Sequence, residues 1–225
     1  MASIVVAGDT SGSITLAAPA VAGSNTLTLP TATTTLVGLT TTDTLTNKTL
    51  TSPTITGANM SSMASSVITS GTAVNSTSGT SIDFTGLPSW IKRITVMFSG
   101  VSTNGSSNIQ IQLGDSGGFE TTGYLGAGCY VQNASTTGAS TSTSGFVVSM
   151  NVATTTIIHG VAVISLLNPS TNLWTFASNV SRSDAASVIL GSSSKGLSDI
   201  LTQVRITTVN GTDTFDAGTI NILYE

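Results

Sequence analysis

Residues Gly114-Asp115-Ser116-Gly117-Gly118 spell the surroundings of a serine-protease nucleophile. A serine hydroxyl attacks a carbonyl only when a base takes its proton and an acid orients that base. The one histidine, His159, follows this serine in the chain, whereas in proteases with this motif the base precedes it. A Gly-rich turn closing the strand-like stretch 109–113 explains the same letters. His159 shares an alternating face with Ile157, Val161 and Val163 and reads as a satisfied core or interface residue. The single cysteine, Cys129, allows no intrachain disulfide and reads as a small buried hydrophobe. One histidine and one cysteine make no zinc site without carboxylates. Asp213 and Asp216 flank the turn Asn210-Gly211 without EF-hand spacing, which predicts a solvated hairpin. Asp115, Glu120, Asp184 and Asp199 fall near turns, and nothing pairs them across facing strands as glycoside cleavage requires. The sequence therefore predicts no catalytic residue, no metal and no cofactor.

Recognition chemistry is better represented. Thr121–Tyr130 and Gln132–Ser144 read as a long Ser/Thr-rich excursion. Sugar recognition uses aromatic platforms with amide and hydroxyl partners, and Tyr124, Tyr130, Gln132 and Asn133 supply those groups. They are the expected glycan-contacting residues, set against the plainer reading of a solvated loop whose rings cap a core.

The elements that must hold these loops follow from period-two patterning. Ile94, Val96 and Phe98 alternate with Arg93, Thr95 and Met97; Ile109, Ile111 and Leu113 alternate with Asn108, Gln110 and Gln112. Val204 and Ile206 alternate with Gln203, Arg205 and Thr207, and Ile220, Ile222 and Tyr224 with Asn221 and Leu223. Further strands are expected at 146–150, 156–167, 173–180 and 186–190. Asn104-Gly105, Gly117-Gly118, Asn168-Pro169 and Asn210-Gly211 mark turns. No sustained helical period occurs; Leu197–Leu201 is at most one helical turn. Stretch 156–167 is apolar on both faces, so it is either central to the domain or meets another subunit. The pattern predicts an all-β chain whose residues 81–225 form an antiparallel, jelly-roll-like sandwich.

Before residue 81 the composition differs. All eleven aromatic residues lie beyond it, and the only charges before it are Asp9, Asp43 and Lys48. Residues 1–57 read as short extended pieces broken by Gly and Pro, with Thr-Leu-Thr at 26–28, 44–46 and 49–51. Such a segment returns little buried apolar area against its ordering entropy. Yet it is β-branched and nearly uncharged, unlike disordered tails. It is expected to order by pairing with copies of itself or by lying on a partner. Residues 58–80 are small and polar, a linker or short stalk in which Met60, Met63 and Val67 permit a brief helix.

Charged residues are 7% of the 225, with ten acids, six scattered bases and a net charge of -4. Without a basic stripe, nucleic acid is not an expected partner. No run is long and apolar enough to predict a membrane span, and the start lacks the basic and apolar regions of a signal peptide, so synthesis in a cytosol is expected.

Gly12–Pro30 (GSITLAAPAVAGSNTLTLP) resembles an arm segment of tailed-bacteriophage structural proteins, and Asp43–Gly57 (DTLTNKTLTSPTITG) resembles the LTNKTLTSPTI signature of phage tail fibres and related virion appendages. The stretch from Ile82-Asp-Phe-Thr-Gly-Leu-Pro-Ser-Trp90 to Phe215-Asp-Ala-Gly-Thr-Ile-Asn-Ile-Leu-Tyr-Glu225 is similar to terminal domains of such fibres. The resemblance implies a homotrimer in the virion, attached to other virion proteins through residues 1–57, with Leu27, Leu29, Leu36, Leu45, Asn47, Lys48, Leu50, Pro53 and Ile55 as attachment residues. It implies a non-enzymatic short tail, collar or head fibre whose distal sandwich adheres to host surface polysaccharide. A capsid decoration protein whose arm clamps neighbouring subunits is the alternative, and a glycan depolymerase the enzymatic rival.

Overall fold

The computed structural model describes residues 3–7, 11–17, 49, 51 and 68–225. The chain divides into two units, Met1–Asn59 and Met60–Glu225. Every regular element among the described residues is a strand, and no helical turn forms at Leu197–Leu201.

In the first unit, β1 (Ser3–Ala7) and β2 (Ser13–Ala17) pair antiparallel as a hairpin, with exposed Val5 opposite exposed Thr15. A lone two-stranded ribbon is only marginally stable in water. The nine expected attachment residues, Leu27 to Ile55, lie outside the described residues, as do Met60, Met63 and Val67.

The second unit holds β3 (Thr69–Ser70), β4 (Val74–Asn75), β5 (Ser81–Thr85), β6 (Arg93–Thr103), β7 (Ile109–Asp115), β8 (Gly118–Phe119) and β9 (Leu125–Gln132). It continues with β10 (Thr136–Ser142), β11 (Phe146–Val147), β12 (Ile158–Asn168), β13 (Leu173–Arg182), β14 (Ser187–Gly196), β15 (Gln203–Thr208) and β16 (Phe215–Tyr224). The larger sheet runs β10-β9-β14-β13-β12-β6-β16-β3, with β4 also on β16; the smaller runs β11-β7-β15-β5, with β8 on β7. All pairings are antiparallel, and β12, β13 and β14 form a meander. The two sheets make a sandwich-like all-β fold.

The alternation read from sequence sets what lies between the sheets. Ile94, Val96 and Phe98 of β6 face Ile109, Ile111 and Leu113 of β7 and Val204 and Ile206 of β15 in one core. Phe146 on the smaller sheet stacks on Phe176 of the larger, centroids 4.7 Å apart, and meets Tyr124 edge-on at 4.9 Å. Such ring pairs contribute about 0.5–1.5 kcal/mol beyond their buried area.

Two segments depart from the sequence expectation. The sheet begins ahead of the composition change at Ser81: Thr69–Ser70 and Val74–Asn75 pair with β16, and buried Ser76 donates to the Ala217 carbonyl. Residues 125–142, read as a loop excursion, form the β9–β10 hairpin that extends the larger sheet from β14. Their pattern is inverted. Leu125, Cys129 and Val131 point outward, while the inward Gly128 packs so closely that a Cβ there would come within 2.9 Å of Met150 Sδ.

A crease crosses the larger sheet where register slips between β6, β12 and β16. Gly160 in mid-β12 has φ +140°, and a Cβ there would collide with the Asn179 carbonyl. At this bulge the Gly100 N–H donates to His159 Nδ1 at 3.1 Å. His159 Nε2 lies 3.2 Å from Ser183 Oγ. The half-buried imidazole thus satisfies backbone at a bulge, where the ladder is interrupted.

Candidate functional site

Each sheet turns one face outward, and the two faces differ in chemistry. Residues directly opposite one another in adjacent strands point to the same side. On the larger sheet one such row reads Cys129, Leu190, Asn179, Val161, Met97, Asn221. The next reads Ala127, Ser192, Ala177, Val163, Thr95, Leu223, and on the other side lie Val131, Val188, Ser181 and His159. None of these positions carries Asp, Glu, Lys or Arg. Leu190 is 48% exposed, Val161 43% and Val131 50%. Exposed apolar side chains gathered on an uncharged face mark interaction sites when they form a patch; here Val131, Val188 and Leu190 cluster on β9 and β14, with Asn179 between Leu190 and Val161. Cys129, expected inside, is exposed at the β9 end of this face.

The outward face of the smaller sheet is polar. Gln112, Arg205 and Asp83 lie side by side across β7, β15 and β5, and Gln110, Thr207 and Ser81 form the next row. Loop residue Ser144 closes over the glutamines, donating to Gln110 Oε1 at 2.9 Å and accepting from Gln112 Nε2 through its carbonyl at 2.9 Å. Arg205 makes two hydrogen bonds to the Asp83 carboxylate, 2.8 and 2.7 Å, and rests 4.0 Å over the Phe119 ring. The Asp83 hydrogen bonds raise the Arg205 pKa further, against a smaller opposing effect of burial. Gln110, Gln112, Ser144, Arg205, Thr207 and Ser81 are among the walls of a groove of about 420 Å³.

Where the two sheets meet at one end, a buried network absorbs the nucleophile-like motif. Asp115 accepts from Ser198 Oγ at 2.6 Å, Asp199 N–H at 3.0 Å and Gly117 N–H at 2.8 Å. The Ser198 bond, with the two backbone N–H groups, holds its carboxyl below the ordinary 3.8 despite burial. Ser116 donates to the Asp199 carboxylate, while His159 is engaged at the β12 bulge by Gly100 N–H and Ser183. Glu120 accepts from Ser198 N–H and pairs with the buried Lys195. Desolvation pushes Glu120 up, but the Lys195 hydrogen bond and charge and the Ser198 N–H outweigh it, so its pKa falls below the ordinary 4.5. This is a structural joint between β7 and β14.

The expected glycan residues separate. Tyr124 is a correction: its ring is 0% exposed, its hydroxyl accepts from Leu113 N–H at 2.7 Å and donates to the Glu120 carbonyl at 3.0 Å, and burial raises its pKa. It is core and meets no ligand. Tyr130 is half-buried against Val147, Met150 and Ile189. Asn133 turns the β9–β10 hairpin at φ 51°, a conformation that Asn tolerates. Gln132 accepts from Asn151 Nδ2 at 2.6 Å. The latter two sit at a hairpin tip, away from the groove walls.

Among the described residues no three of His, Cys, Asp and Glu cluster to hold a metal, and no helix is long and apolar enough to cross a membrane. No known family, no curated protein and no solved structure matches the chain.

Proposed function

We propose that the chain is a non-enzymatic structural protein of a bacteriophage virion: a short homotrimeric fibre, made in the host cytoplasm, anchored through residues 1–57 and presenting its sandwich, jelly-roll-like in outline, to the host surface. One observation carries the self-assembling part. The outward rows of the larger sheet are uncharged across β9, β14, β13, β12 and β6 and expose Val131, Val188, Leu190 and Val161 among neutral polar residues, a surface suited to closure against further copies of itself. The Thr-Leu-Thr arm, its likeness to virion appendage segments, and a surface made of hydroxyls and amides support the same reading. Weak sites on each copy then gain by linkage when several engage one surface.

Light scattering of the intact protein tests it: a trimer is expected, and a monomer at micromolar concentration overturns it. Residues 1–57 act as the anchor, so their deletion leaves a folded sandwich that no longer joins particles; continued incorporation overturns the assignment. The capsid-decoration alternative shares the clasping arm. Copy number separates them, since a fibre follows the vertices or tail and a cement protein follows the capsid lattice.

A further inference from the structure

We infer that the groove on the outward face of the smaller sheet is a binding site for a neutral oligosaccharide of more than one ring, held chiefly by Gln110 and Gln112. The residues were legible only as the polar half of a strand. In the fold they are 1% and 6% exposed, which is unusual for amides on an outward face. Buried amides satisfy their hydrogen bonds; here each bonds Ser144 at one end, and its other end is open to solvent rather than enclosed. Ser144 takes up Gln110 Oε1 and Gln112 Nε2, while Gln110 Nε2 and Gln112 Oε1 make no hydrogen bond to any described residue. One free donor and one free acceptor, two residues apart on one face of β7, match adjacent sugar hydroxyls, each of which both donates and accepts.

Charge narrows the class. Among the described residues Arg205 is the only ionic side chain on the groove wall, and Asp83 holds it with two hydrogen bonds. An anionic ligand must displace Asp83 to reach it, so a neutral ligand is favoured. Length follows from a second recess of about 260 Å³, which shares Ser144 and Val209 with the groove and continues along Ser140–Ser144 to Met150. Small-ligand sites run to several hundred Å³ with a few placed polar groups. Val209, 50% exposed at the junction, offers an apolar contact for the carbon face of a ring. The inference rests on the adhesive half of the function proposed above for its purpose, and not on the trimer.

Saturation-transfer NMR on the intact chain tests it with neutral trisaccharides of glucose, galactose, rhamnose and N-acetylglucosamine, and with trigalacturonic acid as the anionic probe. At least one neutral trisaccharide is expected to receive saturation, with affinity in the millimolar range. Gln112→Leu is expected to weaken it about tenfold, since an amide hydrogen bond is lost. Val209→Arg, a surface change at the junction, is expected to abolish it with the fold intact by circular dichroism, and so stands even where Gln112→Leu fails to fold. No transfer from any neutral probe, a preference for the anion, or binding that survives Val209→Arg each overturns the site. Binding that survives Val209→Arg but is lost in Asn133→Ala moves adhesion to the hairpin tip and leaves the proposed function standing. Light scattering on the same samples judges the trimer separately.

Discussion

Across the larger sheet the central outward row reads Cys129, Leu190, Asn179, Val161, Met97; across the smaller sheet the matching row reads Gln112, Arg205, Asp83. One sandwich thus carries a face that gains by losing water and a face that holds polar groups ready for it. Both sheets bury apolar inner faces, in one large cluster and a small second one around Val147, Met150 and Ile189, so the difference lies in the outward residues. An apolar outer face on an otherwise hydroxyl-rich protein is costly to leave wet. A half-bonded amide pair is costly to leave dry. The two faces therefore suit different occupants, which in the proposed function are another copy of the chain on one and a hydroxylated ligand on the other.

Putting charge on the apolar face gives the sharpest way to break this contrast. Leu190→Lys with Val161→Lys is expected to convert a trimer to monomers in sedimentation velocity, since like charges would face one another at the interface, while Thr207→Lys on the smaller sheet leaves the oligomer intact. Equal effects from both would show the faces to be interchangeable.

The joint between the sheets comes next in size. Lys195→Met strands the Glu120 carboxylate and is expected to lower unfolding free energy by about 3 kcal/mol in urea titration. Tyr124→Phe leaves the buried Leu113 N–H without its acceptor and is expected to cost about 2 kcal/mol with no change in saccharide binding; a change in binding alone would return Tyr124 to the ligand site.

The same joint sets a pH dependence. Asp115 and Glu120 in the joint, and separately Asp184, which the hydrogen bond from Arg182 holds, have folded pKa values below the ordinary 3.8, 4.5 and 3.8. In that acid range the unfolded chain binds more protons than the folded one, so stability is fully present above about 4.5 and is lost as pH falls through the folded values. Melting temperature is expected to fall between pH 5 and pH 3, and less steeply in Asp115→Asn. The smallest effect is expected at the exposed pair on the polar face. Asp83→Asn should change stability by under about 1 kcal/mol in denaturant titration, yet freeing Arg205 should admit trigalacturonic acid to the groove.

Much of this was legible in the strands whose alternation is uninterrupted. Ile94, Val96 and Phe98, and Val204 and Ile206, face inward as their spacing predicts, and β12 is central with an outward apolar face. β9 was hidden because two of its inward positions are glycines, which carry no hydropathy signal; Met150 and Val147 approach Gly128 closely, and Ser193 approaches Gly126. Tyr124 sits beside Gly123 in a stretch that reads as loop, and only its register against Leu113 makes it core. Gln110 and Gln112 were visible as the polar half of β7, but burial on that side depends on the loop at Ser144, folded back from 32 residues further along. Local pattern gives strands and their inner faces; which outer faces are covered is decided by segments distant in sequence.

The position of β16 has a consequence for the order of events during synthesis. It lies between β6 and the short β3 and β4, and the Glu225 carbonyl accepts from Lys92 and Arg93 N–H. Residues 69–75 therefore wait, without their neighbours, until residue 224 has left the ribosome. Pairings of such long separation form slowly and expose strand edges meanwhile. β16 joins the larger sheet only after residues 215–224 have been translated, so β6, β3 and β4 each keep an unpaired edge until then.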